Sequence, residues 1–126
     1  MRYLMIGILS LLGVFCRYWI GVFSIRHWPI EFPLATFVIN VLGSFFIALA
    51  YVASFERNLL SEDLRVALMV GFFGGFTTFS SFSLESVRLL ETGRSLLGLL
   101  YAILSPSLCI GVAYLGLFIG RYCFSK

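Results

Sequence analysis

Four long apolar stretches, separated by short segments that carry most of the charged residues, account for nearly the whole chain. They run over residues 3–24, 33–55, 64–90 and 96–123. About 20 helical residues cross a bilayer core of about 30 Å, so each stretch is long enough for one transmembrane helix. The pattern predicts an all-α integral membrane protein, one transmembrane domain over residues 1–126 with four helices per protomer.

The third stretch is interrupted by glycines and hydroxyl residues at 71–83, Gly-Phe-Phe-Gly-Gly-Phe-Thr-Thr-Phe-Ser-Ser-Phe-Ser. Glycine weakens a helix, and hydroxyl groups need partners that hydrocarbon does not supply. Irregular backbone is tolerated at membrane depth where protein or a watery cavity surrounds it. We therefore expect the third helix to be broken mid-membrane near Gly74 and Gly75, with Phe79 and Phe82 on one face beyond the break.

A broken helix has two interpretations. Its free carbonyl groups and free amide groups resemble those with which transporters hold Na⁺ and anions. Alternatively, Gly71 and Gly75 are small residues four apart, a spacing that lets two helices touch and requires no ion. Both interpretations hold together if two such breaks, one from each protomer, cross closely.

The second and fourth stretches each contain polar residues at four-residue spacing, which form a stripe along one face of a helix. The second carries Thr36, Asn40 and Ser44, and the fourth carries Tyr101, Ser105 and Cys109. Asn40 either joins two helices by a hydrogen bond or donates to a permeating ion. The continuation of the stripe favours the second interpretation. The alternative for Ser105 is a hydrogen bond to its own helix, which its coincidence with the other stripe makes less favoured.

Composition excludes several classes of protein. The chain is 60% hydrophobic and 12% charged, with a net charge of +3, so it lacks both a soluble domain and a basic nucleic-acid surface. Nothing in the sequence indicates an enzyme. The three cysteines are predicted to be small buried hydrophobes, and the first stretch a retained span and not a cleaved signal peptide. They are Cys16, Cys109 and Cys123.

Basic residues fall almost evenly on the two predicted sides of the membrane. One side has Arg2, Arg57, Arg65, Arg121 and Lys126, and the other has Arg17, Arg26, Arg88 and Arg94. Because an excess of Lys and Arg orients a membrane protein, near equality predicts insertion in both directions. An antiparallel homodimer with two inverted pathways follows. Four short helices also enclose little interior, which favours a pathway between protomers.

Small anions fit the polar inventory best. Uncharged donors predominate, and the positive edges of phenylalanine rings are weak anion ligands. Arg17 either snorkels to the membrane surface or supplies positive potential at a pore mouth. A proton-coupled exporter needs a carboxylate within the spans, and the one candidate, Glu85, lies near the predicted membrane edge. A non-conducting packing subunit explains the glycines but leaves the aligned hydroxyl stripes without a use.

The run Gly74-Gly75-Phe76-Thr77-Thr78-Phe79-Ser80-Ser81-Phe82-Ser83, with Asn40-x-x-Gly43 and Arg17-Tyr18, resembles the CrcB/Fluc family of bacterial fluoride channels. The resemblance implies passive fluoride efflux across the inner membrane through two pores of an antiparallel homodimer, with a structural Na⁺ at its centre. It implies that fluoride is the partner and that no organic cofactor is needed.

The resemblance also assigns roles to individual residues. It implies a fluoride pore lined by Phe79, Phe82, Asn40, Ser81, Thr36, Tyr101 and Ser105. Arg17 would be the vestibule cation, and the carbonyl oxygens of Gly74 and Thr77 would bind the Na⁺. Cys109 departs from the family pattern because a hydroxyl residue is expected there, and a thiol is the weaker donor.

Overall fold

The computed structural model describes residues 1–124, which fold into helices joined by short loops, and within that range no residue forms a β-strand. The helices are α1 (Arg2–His27), α2 (Leu34–Tyr51), α3 (Glu62–Val66), α4 (Gly74–Phe76), α5 (Phe79–Glu91) and α6 (Ser95–Cys123). Two wider π-helical segments are present: Val52–Glu56 continues α2, and Ala67–Phe73 joins α3 to α4.

In residues 1–124, four helical segments are long and apolar enough to cross a membrane. They are Arg2–His27, Leu34–Glu56, Glu62–Glu91 and Ser95–Cys123, referred to below as the first to fourth spans. The prediction of an all-α chain with four such helices is therefore confirmed. The third span contains α3, the second π-helical segment, α4 and α5.

The third span is broken within residues 71–83, as predicted, but at Thr77 and Thr78, just beyond Gly74 and Gly75. Gly74 is helical (φ −63°, ψ −37°), whereas Thr77 (φ −80°, ψ 159°) and Thr78 (φ −151°, ψ 112°) are extended. Gly75 serves packing, since a Cβ atom there would lie 2.7 Å from the carbonyl oxygen of Ser10. Gly75 therefore marks a close helix crossing, and Thr77 and Thr78 mark the break.

Main-chain contacts join α1 to the first half of the third span. A Cβ atom at Gly71 would lie 2.8 Å from the carbonyl oxygen of Ile6, and one at Gly13 would collide with the carbonyl oxygen of Phe72. Only small residues allow two helix backbones to approach this closely. The interpretation of Gly71 and Gly75 as a packing motif is confirmed within the protomer.

The fourth span packs on both α2 and α5. A Cβ atom at Gly116 would lie 2.5 Å from the carbonyl oxygen of Phe45 on α2, and Gly98 faces the side chains of Leu89 and Leu90 on α5. These contacts set the polar stripe of α2 and the polar stripe of α6 beside the start of α5. The fold thus brings the three groups of polar residues together.

Charged side chains pair at the two ends of the helices. At one end Arg2 bonds to Glu62 (2.8 Å) and Asp63 (2.6 Å), and Arg121 bonds to Glu56 (2.7 Å). Ser61 caps α3, since its hydroxyl accepts from the amide of Leu64. At the other end Arg94, after the turn at Gly93, pairs with Glu31. Lys126, which the sequence assigns to the first end, lies outside the described residues.

Most apolar side chains of the protomer face outward. Of the 18 residues in the most apolar part of α1, only 6% are buried. Cys109 is partly buried, but the prediction that all three cysteines are buried is wrong, because Cys16 and Cys123 are exposed. Both exposed cysteines lie on helix faces that no other helix of the protomer covers. The outward apolar surface belongs against lipid or against another protein chain.

Candidate functional site

The break in the third span is held by the side chain of Asn40. Its Nδ2 atom donates to the carbonyl oxygen of Thr78 (3.0 Å), and its Oδ1 atom accepts from the amide of Thr78 (2.9 Å). One side-chain amide therefore satisfies both polar groups of a buried residue that has left the helix. This pair of bonds, the Asn40 clamp, is the interhelical role considered for Asn40 from the sequence, and it leaves one donor hydrogen of the amide for a further partner.

Thr78 also begins α5. Its hydroxyl oxygen accepts from the amide of Ser81 (3.2 Å) and lies 3.0 Å from the hydroxyl oxygen of Ser81. This is ordinary N-cap chemistry, which satisfies one of the free amides at the start of a helix. The positive end of the α5 dipole therefore points at the break. Sequence analysis gave Ser81 a place in the pore but did not identify Thr78 as the cap.

At the break, the carbonyl oxygens of Gly74 and Thr77 do not receive the backbone hydrogen bonds that a continuous helix would give them. The amide of Thr78, which would bond to Gly74 in a continuous helix, donates instead to Asn40. The amide of Ser81, which would bond to Thr77, donates to the hydroxyl of Thr78. Both carbonyl oxygens are therefore free of helical bonds, and oxygen ligands of this kind suit a hard cation. The fit supports the two residues that the resemblance assigns to Na⁺.

Arg17 reaches the same place from α1. Its Nη1 atom lies 3.5 Å from the carbonyl oxygen of Thr77, the upper limit for a hydrogen bond. The guanidinium is thus beside the break and partly buried, which differs from snorkelling to the membrane surface. A cation at this carbonyl and the guanidinium would compete for the same oxygen.

Phe79 and Phe82 lie next to each other at the start of α5, with ring centroids 5.5 Å apart. Phe79 is 75% exposed, whereas Phe82 is 8% exposed. The Phe82 ring meets the Tyr101 ring edge-on at 5.1 Å. Phe82 therefore belongs to the interior of the protomer, and Phe79 projects from its surface.

Glu85 joins the two polar stripes, a role that sequence analysis missed. Its carboxylate accepts from the hydroxyl of Thr36 on α2 (2.7 Å) and from that of Tyr101 on α6 (3.0 Å). The signal was present in the spacing, because Glu85 follows Phe82 by three residues and shares its helical face. Its position near a predicted membrane edge outweighed that spacing. The carboxylate belongs to the polar line between the helices.

A cavity of about 370 Å³ lies beside the break. Its lining includes Asn40, Ser44, Phe79, Phe82, Ser105 and Cys109. Ser105 is 3% exposed and lies one helical turn from Tyr101, whose hydroxyl leads on to Glu85. We call this cavity the break cavity. A line of polar groups from α2, α5 and α6 therefore extends from it toward the α5–α6 turn. No cluster of three or more His, Cys, Asp or Glu side chains suited to a metal occurs in residues 1–124.

A second cavity of about 540 Å³ opens at the other end of this line, beside the α5–α6 turn. Four charged residues, Glu31, Glu85, Arg88 and Arg94, line it together with Thr92. We call it the mouth cavity. Because Glu85 lies in its wall and also binds Tyr101 and Thr36, it connects this cavity to the hydroxyl groups.

Known proteins resemble this chain over nearly its full length. Three curated relatives carry the name fluoride-specific ion channel FluC. The relative from Geotalea daltonii is 40% identical over 117 residues, 93% of this chain and 94% of the relative. The relative from Nitratidesulfovibrio vulgaris is 41% identical over 122 residues (95% and 97%), and that from Citrifermentans bemidjiense is 35% identical over 116 residues (92% and 94%).

A family model gives the same result. The model described as CrcB-like protein, Camphor Resistance (CrcB), matches residues 4–117, which include all of α2 to α5 and most of α1 and α6. The resemblance seen in the glycine and hydroxyl run is therefore confirmed. With four membrane-length helices and this match, the protein is a multi-pass membrane protein that belongs to the CrcB-like family.

Proposed function

We propose that the protein is a passive, fluoride-selective ion channel and not an enzyme. The observation that carries the proposal is its similarity, over more than nine-tenths of its length, to relatives named as fluoride-specific channels. The line of donors between the break cavity and the mouth cavity supports it. A channel needs graded, individually weak contacts so that the ion both enters and leaves.

The break cavity is the inner part of the proposed pathway. The amide hydrogen of Asn40 that the clamp leaves over and the dipole of α5 offer positive charge to an anion there. The hydroxyl of Ser81, bonded to that of Thr78, lies in the first turn of the same helix. The ring edges of Phe79 and Phe82 add weak contacts that carry no full charge. The weakness is useful, because fluoride is strongly hydrated and a fixed cation at this depth would hold it too long.

Hydroxyl groups continue the pathway toward the mouth cavity. Ser105, Tyr101 and Thr36 provide hydroxyl groups, and the last two donate to Glu85. An anion passing here must take over these hydroxyls from the carboxylate. If one hydroxyl turns to the anion while the other still donates to Glu85, neither the donors nor the carboxylate is left without a partner, which lowers the cost of moving a charge between helices.

The functional unit is an antiparallel homodimer with two pores. The high exposure of Phe79, 75%, supports a pathway completed by a second copy, because an isolated protomer leaves this ring uncovered. The largely uncovered α1 supports the same arrangement. Near equality of basic residues at the two ends supports insertion in both orientations, in the bacterial inner membrane.

A structural Na⁺ at the dimer centre completes the proposal. The carbonyl oxygens of Gly74 and Thr77 would hold it, since the break has freed both from helical bonds. The ion would supply positive charge that neutralises several converging carbonyl dipoles. Arg17, 3.5 Å from Thr77, would then turn toward the vestibule as the cation that attracts anions.

The proposal is tested by fluoride efflux from liposomes that contain the purified protein, with chloride as the control anion and a valinomycin-set K⁺ potential as the driving force. Rapid fluoride loss that follows the potential, with little chloride loss, is expected. Flux that requires an opposing proton gradient would instead indicate a proton-coupled exporter built on Glu85. Absence of flux from a folded dimer would favour the packing subunit.

A further inference from the structure

Two arginines line the mouth cavity, and only one of them forms an ion pair. Arg94 is bound to Glu31 in an ion pair that ties the α5–α6 turn to the α1–α2 loop. Within residues 1–124 the side chain of Arg88 makes neither a hydrogen bond nor an ion pair, although it lines the same cavity. One cation of this cavity is therefore already neutralised and the other is not.

The acidic residues of the cavity do not compensate Arg88. Glu31 is taken by Arg94, and both carboxylate oxygens of Glu85 accept hydrogen bonds from hydroxyl groups. Glu85 precedes Arg88 by three residues and so lies on the same side of α5, yet the two do not approach within ion-pair distance. The guanidinium of Arg88 remains available to a solute anion.

We propose that Arg88 forms an anion-binding site at the mouth of the pathway and raises the local concentration of small anions there. The inference rests on the proposed channel function and adds a step to it. An anion held at Arg88 lies next to the Glu85 carboxylate, and the hydroxyls of Tyr101 and Thr36 are the next donors inward. The Arg94–Glu31 pair sets how positive the mouth is, because it removes one of two available cations.

The physical basis is electrostatic steering in water. Arg88 is exposed, so its field is screened by salt, with a Debye length of about 10 Å at 0.1 M and about 3 Å at 1 M. The site therefore acts on the rate at which anions enter at low ionic strength and loses this effect at high ionic strength. A residue that only maintains the fold would show no such dependence.

The experiment compares voltage-driven fluoride efflux of four variants with that of the wild type, at about 0.02 M and about 1 M total salt. For Arg88→Gln we expect a loss of about threefold at low salt that shrinks to less than about 1.5-fold at high salt. Arg88→Lys should retain the wild-type rate. Arg26→Gln is the matched control, since it removes an exposed arginine near the same end but outside the cavity.

The fourth variant reverses the sign of the effect. Glu31→Gln releases Arg94 from its pair, so efflux at low salt should rise above the wild-type rate. Equal efflux of Arg88→Gln and wild type at low salt overturns the inference but leaves the channel proposal intact. A loss of the same size at both salt concentrations, shared by Arg88→Lys, also overturns it. Absence of wild-type efflux defeats the channel proposal itself.

Discussion

Replacement of Asn40 by leucine tests the mechanical part of the site. Leucine has a similar size but neither polar atom, so the Asn40→Leu variant leaves the amide and the carbonyl group of Thr78 without their partners at 2.9 and 3.0 Å. Thr78 is buried, and water cannot readily replace the lost bonds. The break should then be held by the N-cap hydrogen bonds of Thr78 alone.

The expected loss of stability follows from the cost of unpaired buried groups. Each costs about 1–3 kcal/mol in a protein interior. In membranes, measured interhelical hydrogen bonds average only about 0.6 kcal/mol, because the unfolded helices also find partners. For two groups we therefore expect a destabilisation of about 1–3 kcal/mol, together with strongly reduced fluoride efflux from the fraction that remains folded.

The measurement is reversible unfolding in mixed detergent micelles, followed by circular dichroism. Ser44→Ala is the matched control, because Ser44 lies one turn along the same face of α2, lines the same cavity and makes no hydrogen bond within residues 1–124. A destabilisation by Asn40→Leu below about 0.5 kcal/mol, or equal to that of Ser44→Ala, would refute the clamp as a source of stability.

Three further substitutions test the packing and the pathway. Gly13→Ala should destabilise the fold by at least about 2 kcal/mol, because its Cβ atom would collide with a main-chain carbonyl, whereas Gly7→Ala, with open space, should be neutral or stabilising in the same unfolding assay. Equal effects would contradict the close crossing. Phe82→Leu should reduce fluoride efflux at least about tenfold because it removes a positive ring edge, while Phe118→Leu, which replaces a 65% exposed residue on α6, should leave efflux unchanged. Unaltered efflux in Phe82→Leu would remove this ring from the pathway. Tyr101→Phe deletes one hydroxyl bond to a carboxylate, so unfolding should show a loss of about 1.5 kcal/mol and efflux should slow; a fully stable variant with normal efflux would argue against the hydroxyl line.

Much of the fold could be predicted from hydropathy, because four spans leave few ways to arrange a chain of this length. The break was harder to locate. Gly74 and Gly75 weaken a helix in isolation, but Gly75 is required for contact with α1, a tertiary constraint that is invisible in local sequence. Thr77 and Thr78 leave the helix because Asn40 and the N-cap provide alternative hydrogen bonds.

The sequence predicts which helix faces carry the polar residues of the site, but only some of the contacts that those residues make. The spacing of Thr36 and Tyr101 indicated polar faces, but which partner they meet depends on how α2, α5 and α6 pack. The position of Glu85 near the end of the third stretch indicates the membrane edge, whereas in the structure two hydroxyls from different spans bond to its carboxylate. Arg17 likewise reaches a carbonyl group that no linear pattern connects to it. Side-chain partners across helices are thus what the sequence could not provide.

The Asn40 clamp has a consequence for how the protein is made. A third span that entered the bilayer already broken, but without the second span, would carry the unpaired amide and carbonyl group of Thr78 into hydrocarbon, where each costs several kcal/mol. Asn40 precedes Thr78 by 38 residues, so its helix leaves the ribosome first. The second span can therefore already lie in the bilayer, with the partner that the third requires, when the third span enters. In this protein, the span that carries the hydrogen-bonding partner is therefore synthesised before the span that contains the break.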